Sequence, residues 1–590
     1  MRDGVRGPQG FRSRSRLQII TLNFHLLLYY VTHQKNACRI WAAGKPSHTE
    51  GEYQTMKSLA PLQPYLLLAI LTLAASTFAC GGAKFNDPPG IASAAVANTQ
   101  NPLVAQYTIT TALGCPGQVM VEFGPDTSYG RSTAWYRASA ALQTSTILVA
   151  GMKASTTYHM RAQAQALCTG GTNTFTSGDF TFTTGQLPSL PFPTLSVSRP
   201  DPSSSSPENP GIELIDITTA GVPAFFTDRN ANPIWYYDVG QGNFPYMFKI
   251  LPNGHIILCI TTNINAPTVS LIREVDLAGN SVREMDINSL GAKMQAAGFD
   301  FIPQSYTHDF VPLANGHLVV ITNYSKNLTD LPGYPGSLAV VGDGLVDLDE
   351  NWNPVWAWNS FDYLDVNRHL NGLPDWTHSN ALVYTPSDGN LLLSMRHQSW
   401  VLKINYNNGS GAGNVLWRLG YQGDFALTQG GVPTSDPSVW FSFQHFPSLI
   451  SQNGALTTLA IWDNGDSRVL DTSGDICPSY ILNIPCYSRA TIFQIDESAM
   501  VADLAWDNLP GPYDFSLWGG SINQLENGNV EFDINAPTPP PNQNLASRVQ
   551  EVSQTPNPQI LWQMDISPVT SNAYRTYRVP SLYPGVTWQY

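Results

Sequence analysis

The chain has 590 residues, 13% of them charged and 43% hydrophobic, and its 30 Lys+Arg against 44 Asp+Glu give a formal net charge of −14. The acidic balance excludes a nucleic-acid backbone as partner, which needs clustered Lys and Arg, and the apolar content excludes a mostly disordered chain. Few charges beside 15 Trp, 25 Tyr and repeated Asn-Gly turns predict an all-β protein.

Residues 1–55 are Arg-rich (Arg2, Arg6, Arg12, Arg14, Arg16). Their apolar stretch at 19–31 is broken by Asn23 and His25 and is too short to span a bilayer. Met56-Lys57 opens a better signal peptide over 56–80, with one basic residue, an apolar run at 65–75 and then Ser76-Thr77-Phe78-Ala79-Cys80. The expectation is that Met56 is the true start and that 1–55 is a spurious extension. Cys80, with Gly81-Gly82 after it, resembles a bacterial lipoprotein site. That predicts an exported protein, periplasmic or attached to the outer membrane through lipidated Cys80. Cysteine usage agrees with export: Cys115/Cys168 and Cys477/Cys486 are expected disulfides. Cys259, in the run Ile256-Ile257-Leu258-Cys259-Ile260, reads as a buried thiol, and the lack of a CxxC pattern argues against a zinc ribbon.

A small-residue linker over 81–101 leads into short alternating strands between 102 and 186, such as Val104-Ala105-Gln106-Tyr107-Thr108-Ile109. The stretch 149–161, with Tyr158 and Arg161, resembles the fibronectin type III pattern in which a tyrosine caps the corner entering a strand. A small β-sandwich of that kind is expected, followed by a Pro/Ser-rich linker over 187–210.

From 211 to 590 one hairpin turn recurs: Pro252-Asn253-Gly254, Ala314-Asn315-Gly316, Ser387-Asp388-Gly389, Gln452-Asn453-Gly454 and Glu526-Asn527-Gly528. A second strand pair follows each turn and often ends in Trp: Trp356, Trp417, Trp506 and Trp562. An earlier unit over 211–238 ends the same way at Trp235. Six repeats of four-strand size predict a six-bladed β-propeller whose last strand, near Ala573 to Val579, closes the ring. An open two-sheet sandwich is the alternative.

Propeller geometry then places the unusual residues. His308, His378 and His445 each sit a few residues before their turn glycine, near the start of an inner strand and at one mouth of the channel. Reflection about the turns brings Arg396 beside His378, Asn323 beside His308 and Asp463 beside His445. Period-two alternation puts Asn380 on the face of His378. Tyr246 holds the corresponding place in the second blade. His255 and His317 fall at the far end of their hairpins, His369 falls in a loop, and His397 is expected to face away from Arg396. Three histidines could hold Zn²⁺, but an Arg in the cluster and no carboxylate common to all three favour a metal-free anion pocket, with no cofactor.

Asp375-Trp376-Thr377-His378-Ser379-Asn380, Ser394-Met395-Arg396-His397-Gln398-Ser399, Gln444-His445 and Tyr574-Arg575 resemble bacterial arylsulfate sulfotransferase, a likeness over roughly 210–590. The resemblance implies an exported six-bladed propeller that passes a sulfuryl group from a phenolic sulfate ester to another phenol. It implies a ping-pong reaction through a sulfohistidine, without the nucleotide sulfate donor. His445 is then the nucleophile and His308, His378 and Arg396 bind the sulfuryl oxygens and assist the leaving phenolate, with Asn380 and Tyr246 as substrate contacts. An aryl sulfate hydrolase and a non-catalytic binding or adhesion module are the rival readings. The sequence leaves the oligomeric state open, a homodimer included.

Overall fold

The computed structural model describes residues 89–200, 207–261, 270–478, 484–508, 515–537 and 544–589. The extension 1–55, the signal peptide read from Met56 and Cys80 lie outside the described residues. Among those described, the chain is all-β, and no helix is long and apolar enough to cross a membrane.

The N-terminal strands form two sheets. One holds Gly90–Asn98, Ala105–Ala112 and Gln143–Val149; the other is built around Gly117–Gly124 and Thr157–Cys168. Alternate side chains of Ala105–Ala112 and Thr157–Cys168 point inward, so Tyr107, Ile109, Val121, Phe123 and Met160 meet in one core. The Tyr158 hydroxyl accepts the Lys153 N–H at 3.0 Å, pinning the corner before its strand. Cys115 and Cys168 are disulfide-bonded across the second sheet.

Six sheets follow among the described residues: four have four antiparallel strands, while the fifth and sixth of the series carry six and five, with Ala426–Gln429 of the fifth pairing parallel to Val501–Asp507. In sheet 1, Ile212–Ile217, Ala224–Thr227 and Pro233–Tyr237 are joined by Ala573–Val579, which pairs beside Ile212–Ile217. Sheet 2 begins at Phe244–Ile250, sheet 3 at Ser305–Pro312, sheet 4 at Ser379–Thr385, sheet 5 at His445–Asn453 and sheet 6 at Ser521–Gln524. All five turn glycines, Gly254, Gly316, Gly389, Gly454 and Gly528, are left-handed, with φ between 59° and 88°. Asn-Gly and Asp-Gly supply that conformation at little steric cost.

Hydrogen bonds tie each first strand to the next sheet: Met247 N–H to Asp216 (3.0 Å), Tyr306 N–H to Ser270 (3.1 Å), Leu382 N–H to Asp309 (3.0 Å) and Asn380 to the Gln444 carbonyl (2.7 Å). Ser448 then donates to the Ile522 carbonyl (2.8 Å), and the Gly520 N–H donates to the Tyr574 carbonyl (2.9 Å), which returns the series to sheet 1.

Two segments read as linker carry strands instead. Gly90–Asn98 pairs with Ala105–Ala112, and Thr194–Ser198 adds a fifth strand to sheet 6 beside Ile560–Ser567. The polar–apolar alternation of Leu195 and Val197 packs onto the core there, but Pro and Ser on either side hid it. The C-terminal residues also bind the two parts together, since the Trp588 indole donates to Ser132 and the Tyr583 hydroxyl accepts the Ala150 N–H.

Candidate active site

Four consecutive first strands carry a residue in the left-handed region, Met247, His308, His378 and Phe446, each at or beside a break in strand register. Such bulges cost backbone strain and turn side chains off the normal alternation. Here they turn His308 and His378 toward one another, with ring centroids 4.7 Å apart. The Tyr246 ring lies 5.4 Å from His308.

Tyr574, on the C-terminal strand, sits among them. Its ring is 5.9 Å from His308, 6.0 Å from His445 and 5.8 Å from Tyr246, and its buried hydroxyl has no partner among the described residues. The structure therefore brings together His308, His378, His445 and Tyr246 around a tyrosine whose importance no repeat pattern indicated. Burial first, then the surrounding cationic groups, holds the His308 and His445 imidazoles well below the usual histidine range, so both are neutral near pH 7.

His445 does not use Asp463. Bulges shift its register so that it pairs with Trp462, and Asp463 is held by Arg468, Arg489 and the Ser442 N–H. Asn464 lies beside His445 in its place, with Oδ1 2.7 Å from His445 Nδ1. The Asn464 amide donates to the Ser516 and Gly519 carbonyls, which fixes its oxygen toward the histidine. His445 Nδ1 therefore carries the proton, and Nε2 accepts the Gly519 N–H at 3.2 Å.

Asn380 also departs from expectation. Its side-chain nitrogen donates to the Gln444 carbonyl and its backbone carbonyl accepts from Arg575, so the residue joins sheets 4 and 5. Arg575 in turn reaches Asp309 (3.5 Å) and lies over Phe446 (4.3 Å), which buries a second guanidinium close under the histidines.

Arg396 does lie beside His378, and its backbone N–H donates to the His378 carbonyl. Its Nη2 donates to Asp466 (3.0 Å) and to the Leu517 carbonyl (3.0 Å), while Nε is buried without a partner among the described residues. His397 faces Arg396, contrary to expectation, because the chain turns into a short 3₁₀ segment at Arg396–Gln398 and strand alternation stops. Its Nε2 accepts from Arg396 Nη1 (2.7 Å) and its Nδ1 donates to the Asp375 carbonyl (2.8 Å). Burial lowers its pKa to about 4. Asp375 also meets His378 Nδ1 at 2.6 Å, so a carboxylate orients that ring.

Asp375, His378 and His397 place ligand atoms within 4.8 Å of one another. The donor set does not suit a metal, since one His397 nitrogen carries its proton and the other lone pair is taken by Arg396.

Beyond Arg396 opens a cavity of ≈ 850 Å³, walled by Phe443, Tyr487, Phe515 and Leu517 and rimmed by the Cys477–Cys486 disulfide. Cys259 is a buried free thiol far from this chemistry in role, bonded only to Ser270 among the described residues.

A neutral, tautomer-fixed histidine among other imidazoles and beside a buried guanidinium is an arrangement able to transfer the group of an anionic oxyacid ester. The arylsulfotransferase (ASST) family profile matches residues 212–578, most of the chain, and the protein belongs to that family. It is an aryl sulfotransferase, acting on small phenolic substrates. No curated protein sequence matches the chain. Among solved structures, a Bacteroides caccae protein of unknown function is 10% identical and covers 62% of this chain and 98% of its own, with a TM-score of 0.35. A putative 6-phosphogluconolactonase from Bacteroides fragilis is 12% identical over 64% and 100%, with a TM-score of 0.32. A quinonprotein alcohol dehydrogenase-like protein from Bacteroides thetaiotaomicron is 10% identical over 80% and 94%, with a TM-score of 0.29. Likeness at that level carries no inference about this chain.

Proposed function

We propose that this aryl sulfotransferase works in two half-reactions with His445 carrying the sulfuryl group between them. The carrying observation is the His445 ring itself, neutral, with Asn464 on Nδ1 so that Nε2 keeps the lone pair, which exchanges its long contact to the Gly519 N–H (3.2 Å) for sulfur when it attacks. In the first half, Nε2 attacks sulfur, the sulfur–oxygen bond to the aryl group breaks and a phenolate leaves. In the second, an acceptor phenol oxygen attacks sulfur, the sulfur–Nε2 bond breaks and returns its electron pair to His445, and the phenol proton passes to a neighbouring base. Charge in such a loose transition state gathers on the equatorial and leaving oxygens, so positioned cations and donors suffice. Arg396, His308 and His378 supply them, with Asp375 holding the His378 ring.

The six sheets are read as blades of a propeller, an arrangement supported by the sheet-to-sheet bonds that return to Ala573–Val579. The first two sheets are read as a fibronectin type III-like domain, supported by the Tyr158 corner. Export through the Met56 signal peptide, with lipidation at Cys80, fits the two disulfides.

The test is incubation with 4-nitrophenyl sulfate, with and without phenol, followed by quenching and mapping of the acid-labile sulfated peptide. Phenol-dependent colour and a modified His445 are expected. Release without phenol indicates hydrolysis, none at all a binding protein, and modification of His308 or His378 overturns the choice of nucleophile.

A further inference from the structure

Resting on the sulfuryl-transfer reading, we propose that the cavity beyond Arg396 is an aryl subsite built for sulfate esters whose aryl part is extended, of two or more rings, and carries no charge of its own. Its volume of ≈ 850 Å³ lies in the upper range for small-molecule sites, and a phenyl ring beside Arg396 occupies only its inner end. Its charged lining residues are Arg396 and Asp466, which pair with each other at 3.0 Å. A second anionic group on the substrate meets no further cation there among the described residues and is desolvated without compensation.

The walls point the same way. Leu517 is 56% exposed and Ile484 37%, although both are large and apolar. An adjoining smaller cavity shares Phe443 and is flanked by Leu370 and Ile476, which are also exposed. Exposed apolar side chains gathered at one concave mouth mark a surface kept for an apolar ligand.

The cavity reaches the reacting groups at Arg396, and its wall is tied to the others. Leu517 accepts from Arg396 through its carbonyl, Trp518 stacks on Tyr574, and Gly519 donates to His445. One short segment thus forms both a cavity wall and the back of the histidine site. On the other side, the Arg396 guanidinium lies 5.0 Å over the Phe443 ring. An ester with its sulfuryl group at Arg396 would lay its aryl part along Phe443 and Leu517 toward Ile484.

The experiment compares two esters whose phenols have similar acidity, so that leaving-group effects cancel: one-ring 4-cyanophenyl sulfate and two-ring 4-methylumbelliferyl sulfate. With the full chain, kcat/KM should be at least about tenfold higher for the two-ring ester, because the second ring is buried against apolar walls. Leu517→Asn and Ile484→Asn change exposed residues on different walls, and each should bring that ratio toward one. Equal kcat/KM for the two esters, or a ratio untouched by both variants, overturns the proposal while leaving sulfuryl transfer standing. Turnover of neither ester would remove the sulfuryl-transfer reading and this inference with it.

Discussion

Asp466 is the residue at which charge and chemistry are most closely linked. Burial outweighs the Arg396 guanidinium and pushes its carboxyl up to about 7. Below that pH the protonated carboxyl leaves the Arg396 charge available to sulfuryl oxygens; above it the carboxylate competes for the same N–H groups. Aryl sulfate kcat/KM should therefore fall as pH rises through about 7, and Asp466→Asn should flatten that limb in a pH–rate profile. The stability sign is consistent: a raised carboxyl pKa favours the fold at low pH, and the contribution is lost as pH climbs from the ordinary carboxylate value to about 7. None of this was readable from sequence, where Asp466 is one acidic residue after a strand. His308, His378, His445 and Arg396 were legible because turn glycines fix where each hairpin reverses. Asp463, His397 and Asn380 were misread, and Asn464 was missed, because bulges and a 3₁₀ turn break the period-two alternation on which the reflection depends.

At the scale of strands, the recurring Trp has a mechanical role. From the last strand of sheet 1, the Trp235 indole donates to Leu277 in sheet 2; from sheet 3, Trp356 donates to Gly411 in sheet 4. Trp506 of sheet 5 reaches Thr555 of sheet 6, and Trp562 of sheet 6 reaches Arg229 of sheet 1. Each indole fills the gap to the next sheet and satisfies a loop carbonyl there, so the sequence period marks latches as well as strands. The edge strand Thr194–Ser198 and the opening strand Gly90–Asn98 lacked such a mark and were read as linker. Trp562→Phe keeps an aromatic ring but leaves the Arg229 carbonyl without its donor, and should cost about 1–3 kcal/mol in chemical denaturation. Trp417→Phe is the internal control, since its buried indole N–H has no partner among the described residues. It should cost distinctly less. Equal losses would show that the indole bond contributes nothing beyond ring packing.

Across the whole molecule, the C-terminal strand and the short tail after it join the catalytic part to the N-terminal sheets. Ala573–Val579 carries Tyr574 and Arg575 into the site, and the chain then runs directly to Tyr583 and Trp588. Trp588 is buried against Phe123 (ring centroids 5.7 Å apart) and over Gly151, where even a Cβ would lie 2.2 Å from the indole. Asn101, bonding the Tyr236 carbonyl, and Lys153, 3.4 Å from Asp228, add polar links between the same two parts. The partly exposed ion pair contributes little, so the aromatic anchor holds most of the coupling. Trp588→Ala removes a large buried side chain and should destabilise that junction by about 3–5 kcal/mol. Calorimetry should then resolve two unfolding transitions, the N-terminal sheets melting first, where the unaltered chain should give one. Because Tyr574 and Arg575 are held by strand pairing with Ile212–Ile217, aryl sulfate turnover below the first transition should stay close to that of the unaltered chain. A single transition at the original temperature would show that Trp588 does not couple the two parts. Loss of turnover well below any unfolding would instead make the junction a support of the active site.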